Sequence, residues 1–391
     1  MKAIISGGGS GGHIFPAVAI ANALKARFPD IEILFVGAEG RMEMEKVPAA
    51  GYEIKGLPIA GLQRKLTLSN IIKNLQLPYR ILRSRHMVRS IIRQFDPDVV
   101  VGVGGFASEP TLKVAARMGY LTIIQEQNSY AGLTNLILAR SAAAICVAYH
   151  DMSRFFPPSK IAFTGNPVRA DIEQSTATHE EGCAAFEVDS SRPVMLSVGG
   201  SLGARSINLM VLKNLSFFKD NDIQIIWQTG RWMYDEAVAA VAAAQMERWV
   251  KVHQFISRMD LAYAAADVVL SRAGAIAISE LCLVGKPVIL IPSPNVAEDH
   301  QTKNAMALVR KGAALIVRDD ECVTKGLPTA LELLRNPEQC KTMSTAIKAM
   351  AVTKAADRIV TVIHEQIRTD KAVKKWDEMK KEMKKKKRVK K

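Results

Sequence analysis

Short apolar runs, separated by longer segments of helical pattern, occur along the chain in two series. The first series comprises Lys2–Ser6, Ile31–Gly37, Asp98–Gly102, Leu121–Gln125 and Ala143–Val147. The second comprises Val194–Val198, Ile223–Gln228, Val250–Phe255, Val268–Ser271, Val288–Pro292 and Ala313–Val317. Runs that are short, apolar and often β-branched are typical of parallel strands covered on both faces. Their alternation with helices predicts an α/β fold with two Rossmann-like, doubly wound domains that face a cleft.

The domain boundary is expected near Thr164-Gly165-Asn166-Pro167, which a polar stretch follows. We predict an N-terminal domain over residues 1–164 and a C-terminal domain over residues 165–350. The last part of the helical pattern that follows, about residues 351–368, is expected to pack back on the first domain. Residues 369–391 have too little apolar content to fold alone, which predicts a disordered tail.

Composition excludes several classes of protein. With 391 residues, of which 48% are hydrophobic, the chain can bury a large core. Its five cysteines form no C-x-x-C pair, which argues against a disulfide framework and a zinc site and suits a reducing cytoplasm. No apolar stretch is long enough to span a bilayer, and the first residues are typical of a strand rather than a signal peptide. Two D-x-D sequences, at Asp96 and Asp220, are interpreted as turns, so neither a metal nor a cofactor is predicted.

The net charge of +15 is unevenly distributed. Residues 371–391 contain twelve Lys or Arg against three acids, and residues 54–95 contain nine Lys or Arg and no acid. Basic charge beside apolar residues indicates an anionic partner, either lipid or nucleic acid. Between Leu66 and Phe95 the two kinds of residue interleave, which fits a monotopic membrane contact; the alternative is a helical excursion with solvated arginines. The tail carries no recognised nucleic-acid motif, so nucleic acid is not the predicted partner.

Each predicted domain opens with a strand that leads into a glycine-rich loop and a helix. The first loop is Gly7-Gly8-Gly9-Ser10-Gly11-Gly12-His13, and the second is Gly199-Gly200-Ser201-Leu202-Gly203-Ala204. The first satisfies G-x-G-x-x-G, but the acid expected at the end of the second strand is poorly placed, since the nearest, Glu39, lies beyond Gly37. A dinucleotide is therefore disfavoured. We expect this loop to let a bulky phosphorylated or sugar ligand approach the backbone.

Two side chains are candidates for acid–base chemistry. His13 stands at the start of a helix, where the positive end of the dipole favours the neutral imidazole that can accept a proton. It is either a general base or a residue that only orients ligand. Glu126 follows a predicted strand and is a base, an acid or a loop cap, and Asn128 beside it is a candidate partner for a sugar hydroxyl.

The segment Ser271–Glu280 is the most informative for a nucleotide site. It leaves an apolar run, turns at small residues and enters a helix that carries one acid, Glu280. Amides at a helix start bind phosphate oxygens, and a carboxylate one turn further can accept both hydroxyls of a ribose. This combination is what a nucleotide sugar requires; the alternative is a tight turn with a solvated Glu.

Taken together, the motifs resemble those of the MurG family. The resemblance covers about residues 1–365 and rests on the co-linear segments Gly8–Ala17, Gly104–Ser108, Glu126–Asn128, Ala131–Asn135, Gly165–Arg169, Gly199–Ala204, Arg272–Glu280 and Asp299–Ala305. It implies a GT-B fold and inverting transfer of GlcNAc from UDP-GlcNAc to the C4 hydroxyl of MurNAc in lipid I (undecaprenyl-pyrophosphoryl-MurNAc-pentapeptide), giving lipid II for peptidoglycan synthesis. It also implies a peripheral enzyme at the cytoplasmic face of the bacterial inner membrane, which contacts anionic lipid and associates with other cell-wall enzymes.

The resemblance also implies roles for particular residues. The expected ligand-facing residues of the first domain are Ser10, Gly11, Gly12 and Asn128, with His13 and Glu126 as catalytic candidates. Those of the second domain are Arg169, Ser201, Ile256, Ala275, Ile276, Ala277, Ile278, Ser279, Glu280 and Gln301. Arg169 and Ser201 are expected to bind phosphate. Ile256 is expected to hold uracil through its backbone, Glu280 the ribose hydroxyls, and Gln301 the GlcNAc hydroxyls.

Departures from the family pattern concern mainly the acceptor side. Phe106 stands where Tyr is common, Gln125 replaces a His, and His300 stands where some members have Gln. These departures leave a related GT-B glycosyltransferase, acting on another lipid-linked or small acceptor, as the alternative function. A further hypothesis is that the protein is not an enzyme but a nucleotide-binding or nucleic-acid-binding module.

Overall fold

The computed structural model describes residues 1–9, 11–59, 75, 77–296 and 299–389, with side chains in the C-terminal helix as far as Trp376. The described chain falls into two compact units. The first contains Met1–Pro167 and the chain from Lys354 onward, and the second contains Val168–Thr353.

The first unit is built on a parallel sheet of seven strands in the order β3-β2-β1-β4-β5-β6-β7. The strands are β1 (Lys2–Ser6), β2 (Glu32–Ala38), β3 (Glu53–Leu57), β4 (Val99–Gly102), β5 (Thr122–Glu126), β6 (Ala144–Val147) and β7 (Ile161–Phe163). Its helices before residue 168 are α1 (Gly11–Arg27), α2 (Glu43–Ala49), α3 (Leu77–Phe95), α4 (Ser108–Arg117) and α5 (Leu133–Leu138), with short 3₁₀ turns at Asp151–Arg154 and Pro158–Lys160.

The second unit repeats this plan with a parallel sheet of six strands in the order β10-β9-β8-β11-β12-β13. The strands are β8 (Val194–Val198), β9 (Gln224–Gln228), β10 (Val250–His253), β11 (Val268–Ser271), β12 (Val288–Leu290) and β13 (Leu315–Ile316). The helices are α6 (Ala170–Glu173), α7 (His179–Ala185), α8 (Arg205–Leu212), α9 (Ser216–Asp220), α10 (Tyr234–Ala243), α11 (Met259–Ala265), α12 (Ala275–Val284), α13 (His300–Val309), α14 (Cys322–Leu334) and α15 (Pro337–Lys348).

The central strands of both sheets are buried on both faces, which explains why they are mostly apolar. In β1, Ile4 packs in one hydrophobic cluster and the next residue, Ile5, packs in another. In β8, Leu196 and Met195 are divided between two clusters in the same way. Successive side chains of a strand point to opposite faces, so a sheet covered by helices on both sides needs apolar residues at every position.

Every predicted apolar run overlaps a strand, and the two parallel sheets confirm the predicted fold class. Two strands are additional, β3 and β7, and each lies at an edge of the first sheet. β3 has the sequence Glu-Ile-Lys-Gly-Leu, in which polar residues alternate with apolar ones, and β7 has only three residues. β3 therefore lacks the continuous apolar run by which the central strands are recognised, whereas β7 is apolar but too short to be recognised from its sequence.

The last helix, α16 (Ala355–Val389), belongs to the first unit. Its beginning is part of the hydrophobic core: Ile359, Val360, Ile363 and Ile367 pack in the same cluster as Ile14 and Ile20 of α1. The helix continues through residues 369–389, where low apolar content predicts disorder. Low apolar content removes the means to form a core but does not prevent a helix, because Lys, Glu and Met are good helix formers and this segment contains neither Gly nor Pro.

We expect the start of α16 to contribute to the stability of the first unit. Ile363 is completely buried, so Ile363→Ala should lower the free energy of unfolding by about 2–5 kcal/mol, from lost burial and the cavity left behind. Val373→Ala on the same helix is the control, because Val373 is 54% exposed and should change stability by less than about 0.5 kcal/mol. Urea unfolding measures both, and equal effects would show that this helix packs differently.

Candidate functional site

A buried acid holds the glycine loop that follows β1. The carboxylate of Glu43, at the start of α2, is 1% exposed and accepts hydrogen bonds from the backbone amides of Gly9 and Ala38, both at 3.0 Å. Gly8 lies so close that any Cβ there would collide with this carboxylate, and its φ of +153° is itself unfavourable for other residues. A negative charge under the loop disfavours the pyrophosphate of a dinucleotide. Sequence reasoning did not identify Glu43, because nothing in its local pattern marks it as buried.

His13 joins two loops at the carboxyl edge of the first sheet. Its Nδ1 lies 3.1 Å from the carbonyl oxygen of Gly8, which can only accept, so Nδ1 carries the proton. The other side of the ring packs beside Gly104 in the loop after β4, where an added Cβ would lie 3.0 Å from Nε2. Phe106, which is 43% exposed, lies against Gly9. Ser10, a predicted ligand contact, lies outside the described residues.

Glu126 organises the loop that follows β5. Its carboxylate is 1% exposed and accepts hydrogen bonds from the backbone amides of Asn128 and Gly132, both at 3.0 Å. It also accepts from the side-chain amides of Asn128 at 3.2 Å and Asn135 at 2.8 Å. Four donors from one loop engage both carboxylate oxygens. This arrangement favours the loop-cap interpretation of Glu126 over the base or acid role, and it fixes the position of Asn128.

A buried amide network lies beneath the same edge, at the position where the sequence departs from the family pattern. The Gln125 side chain donates to Asn166 Oδ1 at 3.0 Å and accepts from Gln127 Nε2. Gln127 Nε2 also donates to the carbonyl of Val103 at 2.8 Å, and Asn166 Nδ2 donates to the carbonyl of Gln127 at 3.0 Å. The network ties together the ends of β4 and β5 and the segment after β7.

The start of α12, in the second unit, has a local geometry that suits an anion. Its N-cap is Gly274, which has no side chain to cap the helix, and a Cβ added there would meet nothing within 4 Å. The first turn of a helix presents amides without an intrahelical acceptor together with the positive end of the dipole. Residues 275–277, predicted to bind phosphate, form this turn. The local geometry therefore suits phosphate oxygens.

Arg272 fixes the turn that leads into α12. Its guanidinium donates to the carbonyls of Ile291 at 3.0 Å and Pro292 at 3.3 Å, and to Ser206 Oγ at 2.9 Å. It also pairs with Asp319, which accepts from Ser206 as well. One side chain thus connects the ends of β11 and β12, the first turn of α8 and the segment after β13. Sequence analysis placed Arg272 in the motif but gave it no role.

Glu280 lies one turn and a half into α12, among groups that control its charge. Burial raises the pKa of its carboxyl to about 7, against the opposing effect of the nearby Arg169 charge. Tyr263, on α11, donates its hydroxyl to Glu280 Oε2 at 3.3 Å. Arg169 is itself held by Asp171 at 3.5 Å and by the carbonyl of Ser257 at 3.3 Å. The structure therefore brings together two of the predicted ligand contacts, Glu280 and Arg169.

The loops after β8 and β10 meet at Gln228. This side chain accepts the backbone amide of Ile256 at 2.8 Å and donates to the carbonyl of Gly200 at 3.0 Å. Ser201, beside Gly200, is exposed, as a phosphate contact requires. The Ile256 amide already donates to Gln228. Uracil could therefore bind to the backbone of Ile256 only through the Ile256 carbonyl, unless Gln228 moved away from the amide. The role of Ile256 stays a prediction.

Gln301 lies in the first turn of α13. Its Oε1 accepts the backbone amide of Ser293 at 2.9 Å. The side chain is partly exposed, and its NH₂ group is the one that could donate to a sugar hydroxyl. The predicted contact with GlcNAc is compatible with this orientation.

Known proteins resemble the chain over nearly its whole length. Residues 3–147 match the glycosyltransferase family 28 N-terminal domain, and residues 194–359 match the glycosyltransferase family 28 C-terminal domain. A relative from Parabacteroides distasonis is named UDP-N-acetylglucosamine–N-acetylmuramyl-(pentapeptide) pyrophosphoryl-undecaprenol N-acetylglucosamine transferase. It is 53% identical over 93% of this chain and 97% of its own length. A relative of the same name from Phocaeicola vulgatus is 54% identical over 92% of this chain and 94% of its own.

Solved structures agree with this result. The crystal structure of Acinetobacter baumannii MurG superposes with a TM-score of 0.72 at 26% identity, over 93% of this chain and 99% of that one. A UDP-GlcNAc 2-epimerase from Neisseria meningitidis, bound to UDP-GlcNAc, has a TM-score of 0.63 at 15% identity, over 93% of this chain and 100% of that one. At that identity the likeness shows a shared fold alone.

Two doubly wound parallel units, each with its loops and helix starts at the carboxyl edge of the sheet, form the GT-B architecture. The matches to the two family 28 domains identify the chain as a glycosyltransferase of this architecture. The chain belongs to the MurG family.

The raised pKa of Glu280 predicts that donor affinity depends on pH. An ionised carboxylate can accept both ribose hydroxyls, so if Glu280 binds the ribose, the dissociation constant of UDP-GlcNAc should fall as the pH rises through about 7. Glu280→Gln should abolish this dependence and weaken binding at higher pH by about 10- to 100-fold, the range for hydrogen bonds to a charged group. Titration calorimetry with UDP-GlcNAc measures both effects.

The control for this prediction is Glu332→Gln, an exposed acid on α14 in the same unit, which should keep the pH dependence of the original chain. A dissociation constant that is flat across neutral pH in the unsubstituted chain would contradict the role of Glu280 as the ribose-binding carboxylate.

Proposed function

We propose that this protein transfers GlcNAc from UDP-GlcNAc to the C4 hydroxyl of MurNAc in lipid I, with inversion at the anomeric carbon, and so produces lipid II. The names of its relatives give the donor and the acceptor. The observation that carries the proposal is the start of α12, where a helix terminus with Gly274 as its N-cap precedes Glu280 and the charge of Arg169 lies close to that acid. This is the chemistry that the ribose and pyrophosphate of UDP require.

The second unit would stabilise the leaving group. As the bond from the anomeric carbon to UDP breaks, negative charge develops on the pyrophosphate. The amides at the start of α12, the exposed hydroxyl of Ser201 and the guanidinium of Arg169 are donors suited to that charge. Arg suits this role because its planar fork can pair with two phosphate oxygens.

His13 is the proposed base in the first unit. With the proton on Nδ1 directed to Gly8, the neutral ring has its acceptor lone pair on Nε2. Nε2 would take the proton of the acceptor hydroxyl while that oxygen forms the new bond to the anomeric carbon and UDP departs. Glu126 is buried and fully engaged, so its contribution would be to hold the loop that carries Asn128.

Among the described residues, no helix is both long and apolar enough to cross a bilayer.

We propose that α3 contacts the membrane in which the acceptor resides, on the cytoplasmic face. Tyr79 and Leu82 are 66% and 65% exposed, and Leu75, just before the helix, is 75% exposed. Arg83 and Arg89 are exposed on the same helix. Exposed apolar side chains with a basic border fit the interface of an anionic bilayer. Residues 60–74 and 76, which include part of the interleaved basic segment, lie outside the described residues.

If His13 is the base, His13→Ala should lower kcat by about 10²- to 10⁴-fold while the dissociation constant of UDP-GlcNAc changes little. The expected split follows because His13 belongs to the first unit, whereas the proposed donor determinants, the start of α12, Glu280 and Arg169, belong to the second. His86→Ala, which removes an exposed histidine of α3, is the control and should keep kcat with a soluble acceptor. A near-normal kcat for His13→Ala would reduce His13 to an orienting residue.

The function is tested by incubating the purified protein with radiolabelled UDP-GlcNAc and a lipid I analogue. Labelled disaccharide-lipid and released UDP are expected in equal amounts. A panel of other lipid-linked and small acceptors should give much less product. The protein could instead bind UDP-GlcNAc and transfer GlcNAc to another acceptor but not to the lipid I analogue. That result would contradict lipid I as the substrate but would still identify a GlcNAc transferase.

A further inference from the structure

The C-terminal helix has two parts with different surroundings. As far as Ile367, one side of α16 is buried in the core of the first unit. Lys371, at the boundary, forms an ion pair with Asp98 at 2.7 Å, and Asp98 also accepts the backbone amide of Lys2 at 2.8 Å. Although burial alone would raise it, these partners hold the pKa of Asp98 below its ordinary value. Lys371 therefore holds this part of α16 beside the amino ends of β4 and β1.

Beyond Lys371 the helix exposes large apolar side chains. Val373 is 54% exposed and Trp376 is 53% exposed, although Ile363 and Ile367 of the same helix are buried. In the sequence, Met379 and Met383 follow Trp376 at spacings of three and seven residues, which is the periodicity of one side of a helix. An exposed Trp is itself typical of a side chain that lies in a membrane interface, because its ring is apolar and its N–H is polar.

The same segment carries most of the net charge of the chain. Residues 371–391 contribute +9 of the total of +15. A helix over 371–389 would be about 28 Å long, and its ten basic residues against three acids give it a net charge of +7. A net positive charge at this density favours contact with an extended surface of the opposite sign.

We propose that the part of α16 from Lys371 to Val389, the α16 extension, forms a second contact with an anionic lipid bilayer, in which Trp376 inserts at the interface and the net positive charge of the segment attracts the headgroups. This inference rests on the proposed function only in that the acceptor lies in a membrane. Lipid is favoured over nucleic acid because the basic residues are combined with exposed Val373 and Trp376 and with two methionines, side chains that insert into an apolar phase.

The extension would add its own electrostatic attraction to the affinity of the first unit for the bilayer. Each basic residue near an anionic surface contributes roughly fivefold to membrane partitioning at physiological salt. The extension would therefore raise occupancy of the membrane without altering the chemistry at the catalytic groups.

The test uses the full chain and sedimentation with vesicles of three parts phosphatidylcholine to one part phosphatidylglycerol. One variant is Trp376→Ser, and the other replaces Lys384, Lys385, Lys386 and Lys387 with Gln. Each should weaken partitioning by about tenfold or more, and the loss from the lysine variant should shrink as salt is raised. Turnover of a water-soluble acceptor analogue should be unchanged in both.

Matched controls separate this contact from general effects of charge and hydrophobicity. Trp232→Ser removes a Trp that is 74% exposed in the second unit. The charge control replaces four exposed lysines of the second unit, Lys213, Lys219, Lys311 and Lys341, with Gln. Neither control should change partitioning by more than about twofold.

The outcomes are distinct. Unchanged vesicle binding of both tail variants would overturn the proposal. It would also be overturned if polyuridylate bound the chain more tightly than the vesicles do and the tail substitutions weakened that binding. Loss of vesicle binding together with loss of soluble turnover would also contradict it, because the extension would then support the fold. Absence of any transferase activity, with tail-dependent vesicle binding intact, would contradict the proposed function and leave this inference standing.

Discussion

The architecture depends on the constraint that all strands of each sheet run parallel. In such a sheet every strand ends at the same edge, so the loops after β1, β4 and β5 meet in the first unit, and those after β8, β10 and β11 meet in the second. Each following helix then begins at that edge with its positive dipole end. The fold itself therefore places groups suited to anions at this edge. The particular chemistry comes from the few polar residues placed at the strand ends.

Those loops are held by charged side chains that are themselves buried or partly buried. Glu43 accepts the amide of Gly9, Glu126 accepts four donors of its own loop, and Arg272 donates to groups from three separate segments. A buried charge is tolerated only when it is well paired, so each of these residues specifies one loop conformation. Glu280 differs from them, because it has one weak hydrogen bond, from Tyr263, and a carboxyl whose pKa is raised to about 7. It is therefore the acid best suited to receive a ligand.

The sequence predicts more of this fold than of its site, for physical reasons. Central strands are recognisable because burial on both faces favours continuous apolar residues, whereas β3 alternates polar with apolar residues and β7 has only three residues. The anion-binding character of the Ser271–Glu280 segment follows from local sequence alone. The burial of Glu43, the engagement of Glu126 and the use of the Ile256 amide by Gln228 depend on partners distant in sequence, which no local pattern specifies. Low apolar content in residues 369–389 similarly indicates the absence of a core but not the absence of a helix.

The central claim is that the nucleotide binds at the start of α12, and amide hydrogen exchange with and without UDP-GlcNAc tests it most directly. We predict slower exchange on addition of UDP-GlcNAc at the amides of residues 275–277 and in the loop around Ser201, with smaller changes at residues 7–9 of the first unit. Protection confined to the glycine loop after β1, with no change at the start of α12, would contradict it.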